Sequence, residues 1–294
     1  MSTPLSPPDN ATSNDRSEPN DIPDVVSSAP SSAAPVKGPW SVQSGKPLLL
    51  YILHRAPTLQ LNIRSNQYSQ ALALAALPSP PPTSQPGTPL PFLHLLERLK
   101  TTKREGWRRF SITSGESISD HMYRMSIITM LAPASLSSKI NIPHCTKMAL
   151  VHDMAELLVG DITPKDEIPK EEKARREADT MEYLCGGEGL LGKWGKGEQG
   201  KNIQAIFEEY EESKTLESLF VHDVDKVELL LQMVEYEKRW KGELDLGEFS
   251  YVAKNVVLEE MKEWCREILG ERIEFWKGLG KTASSLDMST TGDA

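Results

Sequence analysis

The chain has 294 residues, of which 26% are charged and 38% hydrophobic, an ordinary composition for a soluble globular protein. Its formal net charge of −9 argues against nonspecific binding to nucleic acid or to an anionic membrane, because both favour basic surfaces. Cys145, Cys185 and Cys265 are too few and too scattered for a disulfide framework or a CxxC zinc site. The sequence therefore predicts reduced, intracellular surroundings, in the cytoplasm, the nucleus or both.

The N-terminal segment is unlike a targeting or membrane sequence. It carries Asp9, Asp15 and Glu18 and has no basic region followed by an apolar run, so we expect no secretory signal. The apolar stretches at 46–53 and 71–77 are well short of the ~20 residues that span a bilayer. We therefore expect no membrane partner.

Proline and serine dominate the first part of the chain. Seventeen of the 21 prolines fall in the first 91 residues, and such a composition buries too little apolar surface to offset chain entropy. We predict a disordered tail over residues 1–88, with apolar islands around 48–53 and 67–77 that form either transient helices or partner-binding segments. Residues 281–294 are predicted to be a second disordered tail, and residues 89–280 a single domain.

Helical periodicity begins at Phe92. Ser117–Asp120 is a capping-box-like start, and Pro143 suits the first turn of a helix that would run to Gly160. We predict a glycine-rich loop over residues 186–200 and see no convincing period-two strand, so the fold class is all-α. The predicted helices span residues 92–100, 117–132, 142–160, 169–184, 216–240 and 252–276.

The stretch LVHDMAELLVGD, residues 150–161, holds His152, Asp153 and Glu156 among core-type residues, with no lysine or arginine. Uncompensated carboxylates on an apolar helix are costly, so they normally have a partner. His121 also stands beside an aspartate, Asp120, and histidine with carboxylate suits a borderline divalent metal ion. In a continuous helix His152 and Glu156 would share one face, with Asp153 turned about 100° away. A His-Asp pair alone is a weak signal, and a core histidine is the default interpretation.

Together these motifs resemble a known family. A histidine in SDHMYRM, then HD opening HDMAELLVGD, then a distal aspartate in a helix is similar to the H…HD…D pattern of HD-domain metal-dependent phosphohydrolases. The additional motifs LKTTKREGW, LVHDMAELLVGDITP, IPKEEKARRE and a late EYE resemble the HD-domain 5′-deoxynucleotidases more closely. The resemblance runs from about Phe92 to Trp276 and implies an HD-domain helical bundle.

The resemblance implies a set of metal ligands. His121, His152, Asp153 and Asp225 match the family's ligands for a divalent ion such as Mn²⁺ or Co²⁺, and a second, weaker site would take Mg²⁺. FVHDVDKVE also offers Asp223, and helical periodicity does not choose between Asp223 and Asp225.

Four further residues match functional positions of the family. Glu156 and Asp161 would serve catalysis, with Asp161 assisting proton transfer or binding the second cation; the alternative for Asp161 is a turn residue. Arg104 would meet the substrate phosphate as a guanidinium fork. Trp107 would lie at the sugar or base side, and its alternative is a core tryptophan. Arg108 and Arg109 are predicted to be solvated.

The implied activity is hydrolysis of deoxyribonucleoside 5′-monophosphates, with no nucleic acid polymer as partner and a homodimer as assembly. One alternative keeps the fold and changes the substrate to a cyclic nucleotide, a dNTP or guanosine tetraphosphate. Another alternative is a catalytically silent nucleotide-binding protein. Nothing in the sequence offers an activated serine or cysteine, so no covalent intermediate is expected.

Overall fold

The computed structural model describes residues 70–75, 77 and 85–284, all within one compact unit of residues 48–294. Most of the predicted N-terminal tail, including the island at 48–53, and residues 285–294 lie outside these ranges. The helices of the described ranges are α1 Gln70–Ala75, α2 Leu90–Thr101, α3 Glu105–Arg108, α4 Ile118–Met130, α5 Ala134–Ser137, α6 Ile142–Ala149, α7 Glu156–Val159, α8 Lys170–Cys185, α9 Glu198–Glu212, α10 Leu216–Arg239 and α11 Glu259–Gly278.

The described residues form no β-strand, which confirms the all-α prediction. Short 3₁₀ segments occur at Pro164–Asp166, Trp194–Gly197 and Gly247–Asn255, and one isolated bridge joins Lys103 to Ser117. Within the same ranges, no helix has both the length and the apolar character that a bilayer span would need.

Three helices, α4, α6 and α10, bring together the segments that carry the candidate site. The side chain of Ser117 accepts a hydrogen bond from the backbone N–H of Asp120. The side chain of Asp120 accepts one from the backbone N–H of Ser117, so the predicted capping box is present at the start of α4. The apolar stripe of α4, with Met122 and Met125, is buried. Helices α4, α6 and α10 pack against one another, so residues far apart in sequence meet between them.

The predicted helix over 142–160 is interrupted. Helix α6 ends at Ala149, residues 150–155 form turns, and α7 begins at Glu156. The backbone N–H groups of Met154 and Glu156 bond to the carbonyls three residues earlier, as in a 3₁₀ helix with about three residues per turn. The prediction of one continuous helix over 142–160 is therefore wrong, although His152 and Asp153 still reach one cluster, with His152 Nε2 3.1 Å from Asp153 Oδ2. Gly160 ends α7 with a φ of 77°, a conformation that suits glycine.

The predicted loop over 186–200 ends earlier than expected, because α9 begins at Glu198. Gly200 lies inside this helix, and a Cβ there would stand 2.3 Å from the carbonyl oxygen of Cys185. Gly200 therefore allows α9 to approach the end of α8 closely. It does not mark a loop, as the sequence analysis had assumed.

Two short segments within the predicted tails have hydrogen bonds to the domain, and the first of them lies in the island predicted at 67–77. Residues 70–75 form α1, which packs against α7 and α8, burying Ala73 and, just after it, Leu77. Gln70 Nε2 donates to the carbonyl oxygen of Asp179 at 2.7 Å. At the other end, Ser284 donates to Asp245 Oδ1 at 2.6 Å. These residues are held because the domain offers them apolar surface and hydrogen-bond partners.

Candidate metal centre and active-site pocket

The four predicted metal ligands converge. One ligand atom each from His121, His152 and Asp225 lie within 4.8 Å of one another. His121 Nε2 is 3.2 Å from Asp225 Oδ1, and His152 Nε2 is 3.1 Å from Asp153 Oδ2. Asp153 Oδ2 is also 3.9 Å from His121 Nε2. Helices α4 and α10 and the turn after α6 thus deliver two nitrogens and two carboxylates to one point.

The histidine protonation pattern fits a metal ion. His152 Nδ1 lies 3.0 Å from the carbonyl oxygen of Ala149, which can only accept, so the proton is on Nδ1. His121 Nδ1 lies 2.5 Å from Glu228 Oε2. The two Nε2 atoms are buried and make no hydrogen bond, despite their short distances to carboxylate oxygens. Buried polar atoms are rarely left unpaired, and two imidazole nitrogens with two carboxylates suit a borderline divalent ion.

The charges of the proposed ligands also favour a bound cation. Burial and the charge of Arg104 lower the pKa of His121, but Glu228 and Asp225 outweigh them and raise it to about 10. Burial raises the pKa of Asp225, and His121 and Arg104 more than reverse this, so it falls below its usual range. A proton on His121 Nε2 therefore balances the carboxylates when no metal is bound, and a metal ion would replace that proton.

The structure distinguishes the two candidate aspartates of α10. Asp223 is fully buried and accepts the backbone N–H groups of Val257 and Leu258, at 3.0 and 2.7 Å, just before α11. It therefore anchors the start of the last helix. Asp225 faces His121 instead, as the family resemblance implied.

Arg104 reaches the same cluster from the loop before α3. Its Nη1 lies 3.2 Å from Asp153 Oδ2, and its Nη2 lies 4.0 Å from Asp225 Oδ1. Burial disfavours the charge, but Asp161, Asp153 and Asp225 outweigh it and raise the pKa of Arg104 well above its usual value. A fixed positive charge thus stands beside the ligands, where a phosphate would bind.

Glu156 is buried, and its Oε2 has no hydrogen-bond partner. Burial and the charges of Asp153 and Asp161 raise its pKa well above the usual value. A carboxyl group in such surroundings holds a proton more readily than one in water, which suits a proton-transfer group.

Asp161 and Trp107 have structural contacts that the sequence did not reveal. Asp161 Oδ2 accepts the backbone N–H of Glu105 at 2.6 Å, tying the chain after Gly160 to the loop that carries Arg104. The Trp107 ring is buried, and its Nε1 donates to Glu116 Oε1 at 2.7 Å. Its indole packs on Phe249, with 4.6 Å between ring centroids. Trp107 thus has the burial of a core tryptophan, although its edge lines the pocket.

Arg109 is exposed, as predicted, and also has hydrogen-bond partners at the surface. Its Nη2 donates to Thr163 Oγ1 and Asp166 Oδ1, at 2.9 and 3.0 Å, and so joins the segment after α3 to the 3₁₀ turn at Pro164–Asp166. Arg108 is exposed, as expected, and pairs with Glu105.

A cavity of about 430 Å³ opens beside the cluster. Its walls combine the acids and Arg104 with aromatic side chains and two lysines, Lys165 and Lys173, that the sequence analysis did not select. The lining residues include Arg104, Trp107, His152, Asp153, Glu156, Asp161, Lys173, Glu177, Tyr210, Asp225, Phe249 and Tyr251.

Three neighbours of the cluster were missed by the sequence analysis. Glu228 follows Asp225 by three residues on α10, so helical periodicity could have indicated it. Lys173 stands in IPKEEKARRE, a motif noted for the family resemblance only; its Nζ lies 3.5 Å from Glu177 Oε1. Tyr210, whose ring centroid is 4.9 Å from that of His152, comes from α9, which was not predicted as a helix.

Comparison with known proteins is consistent with this geometry. A model of the HD domain family matches residues 96–264. The 5′-deoxynucleotidase hdd1 of Schizosaccharomyces pombe is 44% identical over 190 residues, which is 65% of this chain and 93% of that protein. The 5′-deoxynucleotidase YGK1 of Saccharomyces cerevisiae is 40% identical over 206 residues, 70% of this chain and 91% of that protein.

Solved structures show the same fold. The structure of the HD domain-containing protein YGK1 superimposes with a TM-score of 0.50 and 32% identity, covering 71% of this chain and 94% of that one. The PH0347 protein from Pyrococcus horikoshii, at 24% identity and a TM-score of 0.50, shares the fold; the match covers 63% of this chain and 99% of that one. The chain therefore belongs to the HD-domain family, alongside relatives that are named 5′-deoxynucleotidases.

Proposed function

We propose that this protein is a metal-dependent 5′-deoxynucleotidase, which hydrolyses deoxyribonucleoside 5′-monophosphates to deoxynucleosides and phosphate. The observation that carries the proposal is the convergence of His121, His152, Asp153 and Asp225 with two unpartnered Nε2 atoms. It occurs in a chain 44% identical to a protein named 5′-deoxynucleotidase. The cluster borders a cavity large enough for a small ligand.

The four residues would hold one divalent ion through two imidazole nitrogens and two carboxylates. Such an ion supplies Lewis acidity, which lowers the pKa of water and offsets charge on a phosphoryl group. Mn²⁺ and Co²⁺ suit this ligand set, and a second, weaker site for Mg²⁺ at Asp161 belongs to the same proposal.

Arg104 would bind the phosphoryl oxygens. Its guanidinium already lies within 4 Å of two of the proposed ligands, and a phosphate beside them would compete for its N–H groups. Lys173 adds a second cation to the cavity. Burial opposes its charge, but Glu156 and Glu177 raise the pKa of Lys173, so it stays protonated. Positive charge at both places would stabilise a loose phosphoryl-transfer transition state.

Glu156 would transfer a proton during the proposed hydrolysis. A buried carboxyl group whose pKa is raised can take a proton from the attacking water or give one to the leaving 5′-oxygen. Asp161 would hold the Arg104 loop through Glu105, with a direct part in proton transfer or cation binding as the alternative. Trp107 would help to shape the sugar or base side of the pocket, since its ring packs against Phe249.

We also propose that two copies of the chain associate. Tyr123, Ile127 and Met130 on α4, with Leu131 directly after it, follow the spacing of one helical stripe, and all four side chains are exposed. An exposed apolar stripe marks an interaction surface. Light scattering after size exclusion should give about twice the chain mass of 32.7 kDa, and Ile127→Glu with Met130→Glu should halve it. Leu93→Glu, an exposed leucine on α2, is the control.

The proposed location is inside the cell, in the cytoplasm, the nucleus or both. The three cysteines are free and buried, as reducing surroundings allow. Imaging of the tagged full chain would test this, and secretion into the medium would contradict it.

Phosphate release, together with chromatography of the nucleotide products, tests the activity, because a cyclic nucleotide, a dNTP or guanosine tetraphosphate can be hydrolysed without releasing inorganic phosphate. Metal-stripped protein with Mn²⁺, Co²⁺ or Mg²⁺ would be given dAMP, dGMP, dCMP and dTMP, their ribose counterparts, a cyclic nucleotide, a dNTP and guanosine tetraphosphate. We expect metal-dependent release that favours the deoxy monophosphates. Turnover of only the other nucleotides would indicate another HD-domain phosphohydrolase, and nucleotide binding without any turnover a silent binding protein.

A further inference from the structure

Glu228 is a fully buried carboxylate that the proposed chemistry does not use. Its side chain has no exposed surface, and its Oε2 lies 2.5 Å from His121 Nδ1. A carboxylate in such a place needs compensating partners. Arg124 provides one, since its Nε donates to Glu228 Oε1 at 2.8 Å.

Two pairs of residues connect helix α4 to helix α10. Arg124 follows His121 by three residues on α4, and Glu228 follows Asp225 by three residues on α10, so each pair lies on one helix face. His121 faces Asp225 at one turn, and Arg124 faces Glu228 at the next. The bond from His121 to Glu228 crosses between these turns and links the proposed ligand to the ion pair.

The donor in the hydrogen bond between His121 and Glu228 determines which ring nitrogen of His121 is free to bind a metal ion. If Nδ1 carries the proton and donates it to the carboxylate, Nε2 keeps a lone pair and points toward Asp225. Arg124 can only donate, so it holds Glu228 in its acceptor form. A partner that orients a metal-binding histidine in this way typically changes metal affinity or activity 10–100-fold when it is mutated.

We infer that Glu228, held by Arg124, is a positioning residue that keeps the His121 proton on Nδ1 and presents Nε2 to the metal. This inference rests on the proposed function, because it requires His121 to be a ligand. It assigns a role to a residue outside the four ligands and explains why a carboxylate is buried between α4 and α10.

Glu228→Gln tests the inference with little change in volume. Arg124 would bind the new amide oxygen, which turns the amide NH₂ toward His121 Nδ1. The ring nitrogen must then accept, so the proton moves to Nε2, where it blocks metal binding. Adding Arg124→Met should free the amide to present its oxygen to His121 again, and should recover most of the lost affinity.

Two measurements on metal-stripped, folded full-length protein decide the outcome. Calorimetric titration with Mn²⁺ should show about 10–100-fold weaker binding for Glu228→Gln. Nitrogen-15 NMR of the ring nitrogens should show His121 Nδ1 protonated in the wild type, and Nε2 as the only protonated nitrogen of His121 in the variant. Glu235→Gln is the matched control, because Glu235 is exposed and bonds the same Arg124 through Nη1.

Equal Mn²⁺ affinity of wild type and Glu228→Gln, within twofold, would overturn the inference and leave the metal site standing. A wild type that binds no Mn²⁺ would overturn both the metal site and the inference. If Glu228→Gln does not fold, the wild-type spectrum decides, since neutral His121 with its proton on Nε2 contradicts the role given to Glu228.

Discussion

Asp161 Oδ2 accepts the backbone N–H of Glu105 at 2.6 Å, and this one bond ties the turn after α7 to the loop that carries Arg104. This contact between two segments that are far apart in sequence helps to place the Arg104 guanidinium beside Asp153. An acid that the sequence analysis selected for catalysis thus has a clear positional role.

Asp161→Ala and Asp161→Asn should separate this role from direct catalysis. Loss of a partly buried hydrogen bond costs about 1–3 kcal/mol, so Asp161→Ala should raise KM about tenfold as the Arg104 loop loosens. Asp161→Asn keeps an acceptor oxygen and should stay close to the wild-type KM. Steady-state kinetics on dAMP checks both variants, and an equal fall of kcat in the two would indicate a direct acid–base or cation-binding role.

Glu156→Gln should leave metal content unchanged while lowering kcat by ~10²-fold or more, because the amide cannot carry the proton. Metal analysis of the purified variant and phosphate release from dAMP would be measured on the same sample. Glu167→Gln, a carboxylate in the loop after the 3₁₀ turn, is the control. Undiminished kcat would remove Glu156 from the proton-transfer role.

Metal removal should lower thermal stability. A ligand at 100 times its Kd stabilises the folded state by about 2.7 kcal/mol, which corresponds to at least ~5 °C in Tm for a domain of this size. Scanning calorimetry of stripped protein with and without Mn²⁺ measures the shift. His152→Ala should show no metal-dependent shift, and a full shift in that variant would mean that the ion binds elsewhere.

Glu177 should make the stripped protein less stable as pH rises. Burial raises the pKa of this carboxyl from 4.5 to about 7, so between these values the folded state holds a proton that the unfolded state has released. Stability therefore falls across that range, by up to about 1.4 kcal/mol for each pH unit. Glu177→Gln should raise Tm at pH 8 and have little effect near pH 4. A Tm difference that is constant with pH would contradict this assignment.

The sequence was sufficient for the fold class, because helical periodicity is a local pattern, whereas the ligand set was a prediction from the family resemblance. Helical periodicity predicted α4 and α10, and the capping box at Ser117 marked a helix start correctly. The choice of Asp225 over Asp223 was different. Asp223 caps α11 through a backbone segment more than thirty residues later, and no local pattern carries such a contact.

The break between α6 and α7 could not be predicted for a related reason. Apolar residues continue at helical spacing through 150–158, so the pattern alone favours one long helix. Packing of His152 and Asp153 into a common cluster with His121 overrides that preference. Burial of Trp107 against Phe249 likewise depends on the segment Gly247–Asn255, far along the chain.

The most direct test of the central claim is the position of the metal. Crystals of metal-stripped protein soaked in Mn²⁺ would be measured at a wavelength where manganese scatters anomalously. We predict a strong peak at ~2.0–2.2 Å from His121 Nε2, His152 Nε2 and carboxylate oxygens of Asp153 and Asp225. A well-occupied manganese peak elsewhere, with none between these four residues, would contradict the assigned metal centre and the hydrolysis proposed to depend on it.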